Sequence, residues 1–516
     1  MKAYLHTRRW PLVYSVLLAL LTLLPYALAW QAQGNAWRFS GFLIGVEDGN
    51  SYIAKMLLGA NGLWLFRPPY TTWQVAPLPV FLPYVWLGKL AAGAALHLQL
   101  ALLYHLARAL AVALGALATY DFAALFVEAE ADRRWVTVLA TAGGGLGVWA
   151  VLTGVKTGWG GALCCYSPEA FGFLAEIFLL HVTLAHAVML WLLRALWLQN
   201  LSWKGGMAGL ALLALFQPLS LGVFLAVWGV MFGWRTVLRR RIYIGGMVWP
   251  AAAVLVAGFY ALLPVLHPYA RVWARQNIVT AQSFWHYIWA YAWLWPLAGL
   301  GGVAAWRGEQ RETAWVAVWA VSFPVFAYFP ITNARRLVDG GWLALLIATA
   351  WGLRALPSRW ARGLKYAVGA LALVPFGVVL AMLLQAALQP RPPVFLPRGE
   401  TTAFQALAAQ ATSGDGVLAA YATGNALPAW APVRVIAGLG PESPYGKRAK
   451  RLCSGFSPLP LLTPGGRISC APTACGGCSG APKSDSWGAG RLMKPLSCVP
   501  ATAREHIPFT RCAHEG

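Results

Sequence analysis

The sequence predicts an all-α polytopic membrane protein of about ten to twelve transmembrane helices, followed by a small extracytoplasmic α/β unit. Three observations carry this reading. Only 11% of the 516 residues are charged and 59% are hydrophobic, whereas an ordinary soluble domain carries roughly 25% charged residues. The apolar residues gather into runs of about 20, the length needed to cross the hydrocarbon core as a helix. Lys and Arg collect in short segments between those runs, as they do on the cytoplasmic side of membrane proteins. The same deficit excludes a soluble globular enzyme, because 17 acidic residues cannot cover the surface of a water-soluble body of this length. It also excludes a disordered chain, which needs low hydrophobicity and high charge.

Taken in order, Lys2, Arg8 and Arg9 precede a first run from Pro11 to Ala29. Its ending, Ala27-Leu28-Ala29, also satisfies a signal-peptide cleavage pattern, and either reading places the following residues outside the cytoplasm. Ten further runs cover about 75–95, 98–126, 135–153, 170–197, 206–234, 242–265, 285–305, 313–330, 337–355 and 366–388. With the N-terminus inside, eleven alternating crossings put Arg235 and Arg239 to Arg241 inside, followed by Arg307 and Arg311, then Arg354, Arg359, Arg362 and Lys365. The same alternation puts Arg133 and Arg134 outside and the loop around Lys156 inside. Gln217-Pro218 interrupts the 206–234 run, since Pro removes a backbone donor. The net charge of +23 therefore resolves into loop charges that set topology and face anionic lipid. It implies no nucleic-acid partner, and no zinc finger or phosphate-cradling glycine loop argues otherwise.

Three segments follow from this reading: a membrane domain 1–388 with a first extracytoplasmic loop 30–74, an outer unit 389–450, and a tail 451–516. Pro390, Pro392, Pro393 and Pro397 make an extended linker into the outer unit. Within that unit, 401–412 and 425–430 read as helices, and 416–421 and 433–437 as strands. The tail shows no sustained period and holds six of the eight cysteines, including Cys470, Cys475, Cys478 and Cys498. A metal site and small disulfides are alternatives there. The preferred reading is that the coding frame was lost near residue 451, leaving a disordered, non-native tail after an incomplete outer unit. An intact frame through this point in the source DNA would refute that.

A census of the carboxylates is informative because they are so few. Eleven of the 17 fall in loops or in the C-terminal part, among them Glu442, and read as solvated charge. Glu47, Asp48, Asp121, Glu169, Glu176 and Asp339 remain at membrane depth, where an ionisable group is costly and usually works in a cavity. Glu47 and Asp48 are adjacent on the loop after the first run, between Gly45 and Gly49. Such a pair can bind a divalent cation or accept a proton from an attacking hydroxyl. Alternatively Asp48 starts a helix as its N-cap. Ser167-Pro168-Glu169 likewise reads as a helix start, with Glu176 deeper on the same face and His181 and His186 as satisfied core residues. Arg335 and Arg336 stand against the positive-inside tendency in a loop that the alternation places outside. Planar guanidinium pairs suit phosphate or pyrophosphate, and pairing with Asp339 or lipid headgroups is the alternative. His267, Tyr269, Arg271 and Arg275 form a second, similar cluster.

These features resemble the C-type (GT-C) glycosyltransferases, and more narrowly the uncharacterised bacterial mannosyltransferase-like membrane proteins. The resemblance rests on the acidic pair Glu47-Asp48, on the D-x-x-x-Y-like motif Asp48-Gly49-Asn50-Ser51-Tyr52, on the aromatic and proline-rich segment Trp64 to Pro77, on Pro168-Glu169, and on Arg335-Arg336. It covers about residues 1–445. It implies a GT-C-like fold in a bacterial plasma membrane and transfer of a sugar from a polyprenyl-phosphate-linked donor to a glycan, lipid or protein acceptor at the extracytoplasmic face. Asp48 would then be the catalytic base with Glu47 supporting, while Tyr52, Glu169, Arg335 and Arg336 bind substrate. A divalent cation, Mg or Mn, could serve on the donor phosphate. The rivals are a transporter or flippase built on Asp121, Glu176 and the broken span at Pro218, and a non-catalytic scaffold of the same architecture.

Overall fold

The computed structural model describes residues 8–153, 167–242 and 247–444, together with two three-residue strands, Ser497–Val499 and Arg511–Ala513. The other tail expectations and the loop around Lys156 lie outside the described residues. The chain is a helical polytopic membrane protein. Among the described residues, seven helices are long and apolar enough to cross a membrane: Arg9–Ala32, Leu96–Ala123, Leu180–Trp197, Leu219–Arg239, Val248–Leu266, Phe284–Arg307 and Ser358–Leu388.

The remaining runs form shorter helices, for local reasons. Pro77, Pro79 and Pro83 confine the helix in 75–95 to Leu82–Gly88. Glu130–Ala142 stops at Gly143-Gly144-Gly145. Gln217-Pro218 separates Trp203–Phe216 from Leu219–Arg239, the break its proline predicts. Gly341–Arg354 is apolar all round and buried from Gly341 to Leu353, so it is a core helix of the bundle.

Side-chain pairs orient the ends. Arg8 meets Asp121 at 3.0 Å, which sets the start of the first span beside the end of Leu96–Ala123. The Arg134 guanidinium lies 5.3 Å from the Trp10 ring, and Asp132 holds Arg354 at 2.8 Å and Lys365 at 2.5 Å. Arg133 and Arg134 therefore lie at the same end as Arg8 and the late basic loop, correcting their placement on the opposite side. The reason is that 75–95 yields only a seven-residue helix, so Leu96–Ala123 is itself the return of the first span.

At the other end, β1 (Trp37–Phe39) pairs antiparallel with β2 (Phe395–Pro397), Trp37 opposite Pro397 and Phe39 opposite Phe395. The segments leaving the first and last spans are thereby joined, which requires an odd number of crossings in all, the first span included. Beyond β2, the helix Arg398–Gln410 precedes β3 (Gly416–Val417), and the helix Tyr421–Ala426 precedes β4 (Arg434–Val435), which pairs parallel with β3. Its apolar core of Phe404, Val417, Leu427, Val433 and Val435 includes Tyr70 from the first loop. Val435 N–H also donates to Pro69 O at 2.9 Å. This unit is thus built jointly by the segment after the first span and the segment after the last.

Candidate functional site

The site is organised by the helix Val46–Ala60, which places Glu47 and Asp48 in a first helical turn and not in an open loop. Gly45 precedes the helix with φ 59°, a left-handed conformation that favours glycine. The N-cap is therefore Gly45, and Asp48 is not a cap. Gly49 is required for packing: a Cβ there would stand 2.2 Å from the Phe42 ring. Acidic residues in the first turn complement the helix dipole, which gives both carboxylates a local reason to be tolerated.

Asp48, Tyr52 and Lys55 follow at helical spacing and share a face. Tyr52 stacks on Tyr84 (4.9 Å between centroids, 10° between planes), and the Tyr84 hydroxyl meets His181 Nδ1 at 2.7 Å. Lys55 is 1% exposed and forms an ion pair with Glu442 Oε1 at 2.6 Å. The Lys55 ammonium also bonds Ser51 Oγ and lies 4.5 Å from the Phe81 ring centroid. Asn50 donates to Asn425 Oδ1 at 2.8 Å, Asn425 donates to Glu47 O at 3.2 Å, and Tyr70 O–H donates to Asn425 O at 3.0 Å. Four separated stretches of sequence are locked around one short helix.

Asp48 is exposed on the first turn of its helix, within the field of Lys55, Glu442, Arg336 and Glu47. Loss of bulk hydration is the largest influence and pushes its carboxyl above the usual carboxylate range. Lys55 opposes that shift, Glu442 adds to it, Arg336 opposes it and Glu47 adds to it. The Tyr52 hydroxyl is pushed well above its ordinary value, by burial first and then by the Asp48 charge.

Several of the predicted residues meet here. Arg335 and Arg336 lie on a short 3-10 helix, Ala334–Val338. Arg336 Nε forms an ion pair with Glu169 Oε1 at 3.2 Å, without the alignment of a hydrogen bond, and Glu169 Oε2 is buried with no hydrogen-bond partner. Glu169 precedes the helix Gly172–Phe178, whose N-cap is Phe171, so it does not cap it. Asp339 turns away to His186 Nδ1 at 2.7 Å. Tyr269 O–H donates to Glu442 O at 3.0 Å, whereas Arg271 donates to the backbone of Pro264 and Val265. Asp121, a residue of the transporter rival, is engaged by Arg8 and by Trp191 Nε1.

Two participants were missed from sequence. Glu442, counted there as solvated loop charge, is 4% exposed and inside the site. No local signal distinguishes it, because its partner is 387 residues away. Lys55 did carry a signal, as a lone lysine in an otherwise apolar helix end seven residues after Asp48. Among the described residues no group of three or more His, Cys, Asp or Glu side chains is placed to hold a metal ion.

No protein-family model and no curated protein sequence matches the chain. Among solved structures it is similar to the oligosaccharyltransferase of Archaeoglobus fulgidus tethered with an acceptor peptide containing the NVT sequon, at 13% identity and a TM-score of 0.47, over 84% of this chain and 64% of that one. It is also similar to that enzyme's complex with Zn and sulfate, at 14% identity and a TM-score of 0.38, over 82% of this chain and 62% of that one. The chain spans less than two thirds of the length of each of these structures.

Proposed function

We propose that this protein is an integral membrane glycosyltransferase of GT-C type, moving a sugar from a polyprenyl-phosphate-linked donor to an acceptor at the extracytoplasmic face of a bacterial plasma membrane. The observation that carries this reading is Asp48. It is an accessible carboxylate on the helix after the first span, facing Tyr52 and lying within the field of Arg336.

In this reading the Asp48 carboxylate accepts the proton of an acceptor hydroxyl as that oxygen attacks the anomeric carbon. The bond from that carbon to the donor phosphate oxygen breaks, and its electron pair leaves on polyprenyl phosphate. Arg336, with Arg335 beside it, faces the negative charge that develops there, a task suited to a planar guanidinium. A base must hold a proton affinity near the working pH, and the upward displacement of Asp48 is in that direction. Glu47 supports the helix start, Tyr52 lines the acceptor side, and Glu169 fixes the Arg336 guanidinium. The GT-C assignment, the donor class and the outer face belong to this proposal, as does the division into membrane domain 1–388 and outer unit 389–450.

The test compares wild type and Asp48→Asn in membranes supplied with a labelled polyprenyl-phosphate sugar. Transfer is expected to fall by about 10²–10⁴-fold, the usual contribution of a general base. Equal transfer by equal amounts of membrane-inserted protein removes Asp48 from the role.

A further inference from the structure

The Lys55–Glu442 pair calls for an explanation beyond adhesion. Both side chains are buried, and taking two charges out of water costs about as much as their attraction returns, so an apolar pair of similar volume would hold the helix as well. Yet the pair is elaborately supported: Ser51 and the Phe81 ring attend the ammonium, and Tyr269 holds the backbone of Glu442 at 3.0 Å. Glu442 Oε2 is buried with no hydrogen-bond partner. Lys55 lies two turns below Asp48 on the same helix face. The pair therefore sits beneath the helix turn that carries the carboxylate to which the reaction is assigned.

We propose that Lys55 and Glu442 are positioning residues, a buried charge pair that holds the Asp48 helix in place and sets how readily its carboxylate takes up a proton. This rests on the reading of Asp48 as the base. Glu47, Tyr52 and Lys55 face Asp48 from its own helix, Arg336 from the 3-10 helix, and Glu442 from the closing segment. Tyr70 of the first loop, Tyr84, Tyr104 and Tyr421 are the further titratable groups within its field. Within this set Lys55 lowers the proton affinity of Asp48 more than any other group, and Glu442 is the group that raises it most after burial itself. Removing either partner breaks the same contact but changes the field at Asp48 in opposite senses.

That opposition is the test. The full chain in nanodiscs is titrated by infrared difference spectroscopy, and the Asp48 carboxyl band is isolated by subtracting the matching Asp48→Asn protein in each background. Lys55→Met is expected to move the titration midpoint to higher pH, and Glu442→Gln to lower pH. Displacements in the same direction, or none, overturn the proposal and leave a pair that only joins segments. If either single variant fails to fold, the exchanged protein K55E/E442K rebuilds the ion pair with its two charges exchanged. Its midpoint is expected at higher pH, and an unchanged midpoint overturns the proposal. The titration needs no sugar transfer. Loss of the glycosyltransferase reading in the Asp48→Asn transfer test is thus distinguishable from failure here.

Discussion

At the scale of single residues, the decisive fact is the environment of one carboxylate. In the unfolded chain Asp48 ionises at the ordinary carboxylate pH, whereas in the folded protein, mainly through loss of hydration, it keeps its proton to higher pH. Folding therefore takes up a proton between the two values. The stability associated with it is fully present below the unfolded value and is lost as pH rises through the folded one. Asp48→Asn resembles the protonated form and avoids this loss. The variant is expected to unfold at the same temperature as wild type in acid and at a higher temperature near neutral pH, measured by thermal unfolding in detergent across pH. A constant difference at all pH values would contradict the shift. The pair Glu47-Asp48 was legible in sequence because acids are scarce in this chain. That Asp48 faces Lys55 and Glu442 was not, since the field at a group is set by neighbours that folding supplies.

At the scale of elements, the helix Val46–Ala60 is the unit on which everything depends. In sequence it was legible only as the alternative in which Asp48 caps a helix from Gly49, and the helix begins earlier, at Val46. Its anchoring was not legible, because Asn425 and Glu442 read locally as loop residues of a distant unit. Breaking a buried ion pair by removing one partner typically costs about 3–5 kcal/mol, while replacing both by apolar residues is near neutral or stabilising. Glu442→Ala is therefore expected to lower thermal stability strongly, and Lys55→Met with Glu442→Leu to recover most of the loss. Equal destabilisation by the single and the double change would show that the charges are not coupled. The proline signal at Gln217-Pro218 was read correctly, whereas Pro77, Pro79 and Pro83 were overlooked and the expected span 75–95 is only the helix Leu82–Gly88. Both follow from a missing backbone donor, a property local enough to be read from composition.

At the scale of the whole molecule, the β1–β2 pairing brings the exits of the first and last spans together, and the ion pairs of Asp121 and Asp132 gather the basic segments at the opposite end. If that basic end is cytoplasmic, single cysteines placed at Gly62 and Ser413 in a cysteine-free background are expected to react with an impermeant maleimide added to intact cells. Cysteines at Arg311 and Arg359 are expected to react only after permeabilisation. The reverse pattern would invert the topology and move the site to the other face.

The sequence by itself determined the class of this protein. Charge scarcity, apolar run length and loop charge are sums over local composition, and they identify a helical membrane protein with an acidic pair after its first span. It also indicated the outer helices and strands, because their propensities are local. Only the tertiary structure decided which runs become full spans and on which side Arg133 and Arg134 fall. It alone showed that Glu169 meets Arg336, and that Glu442 closes on Lys55. Those outcomes depend on contacts between residues far apart in the chain, where the cost of burying a charge is met by a partner that no local pattern reveals.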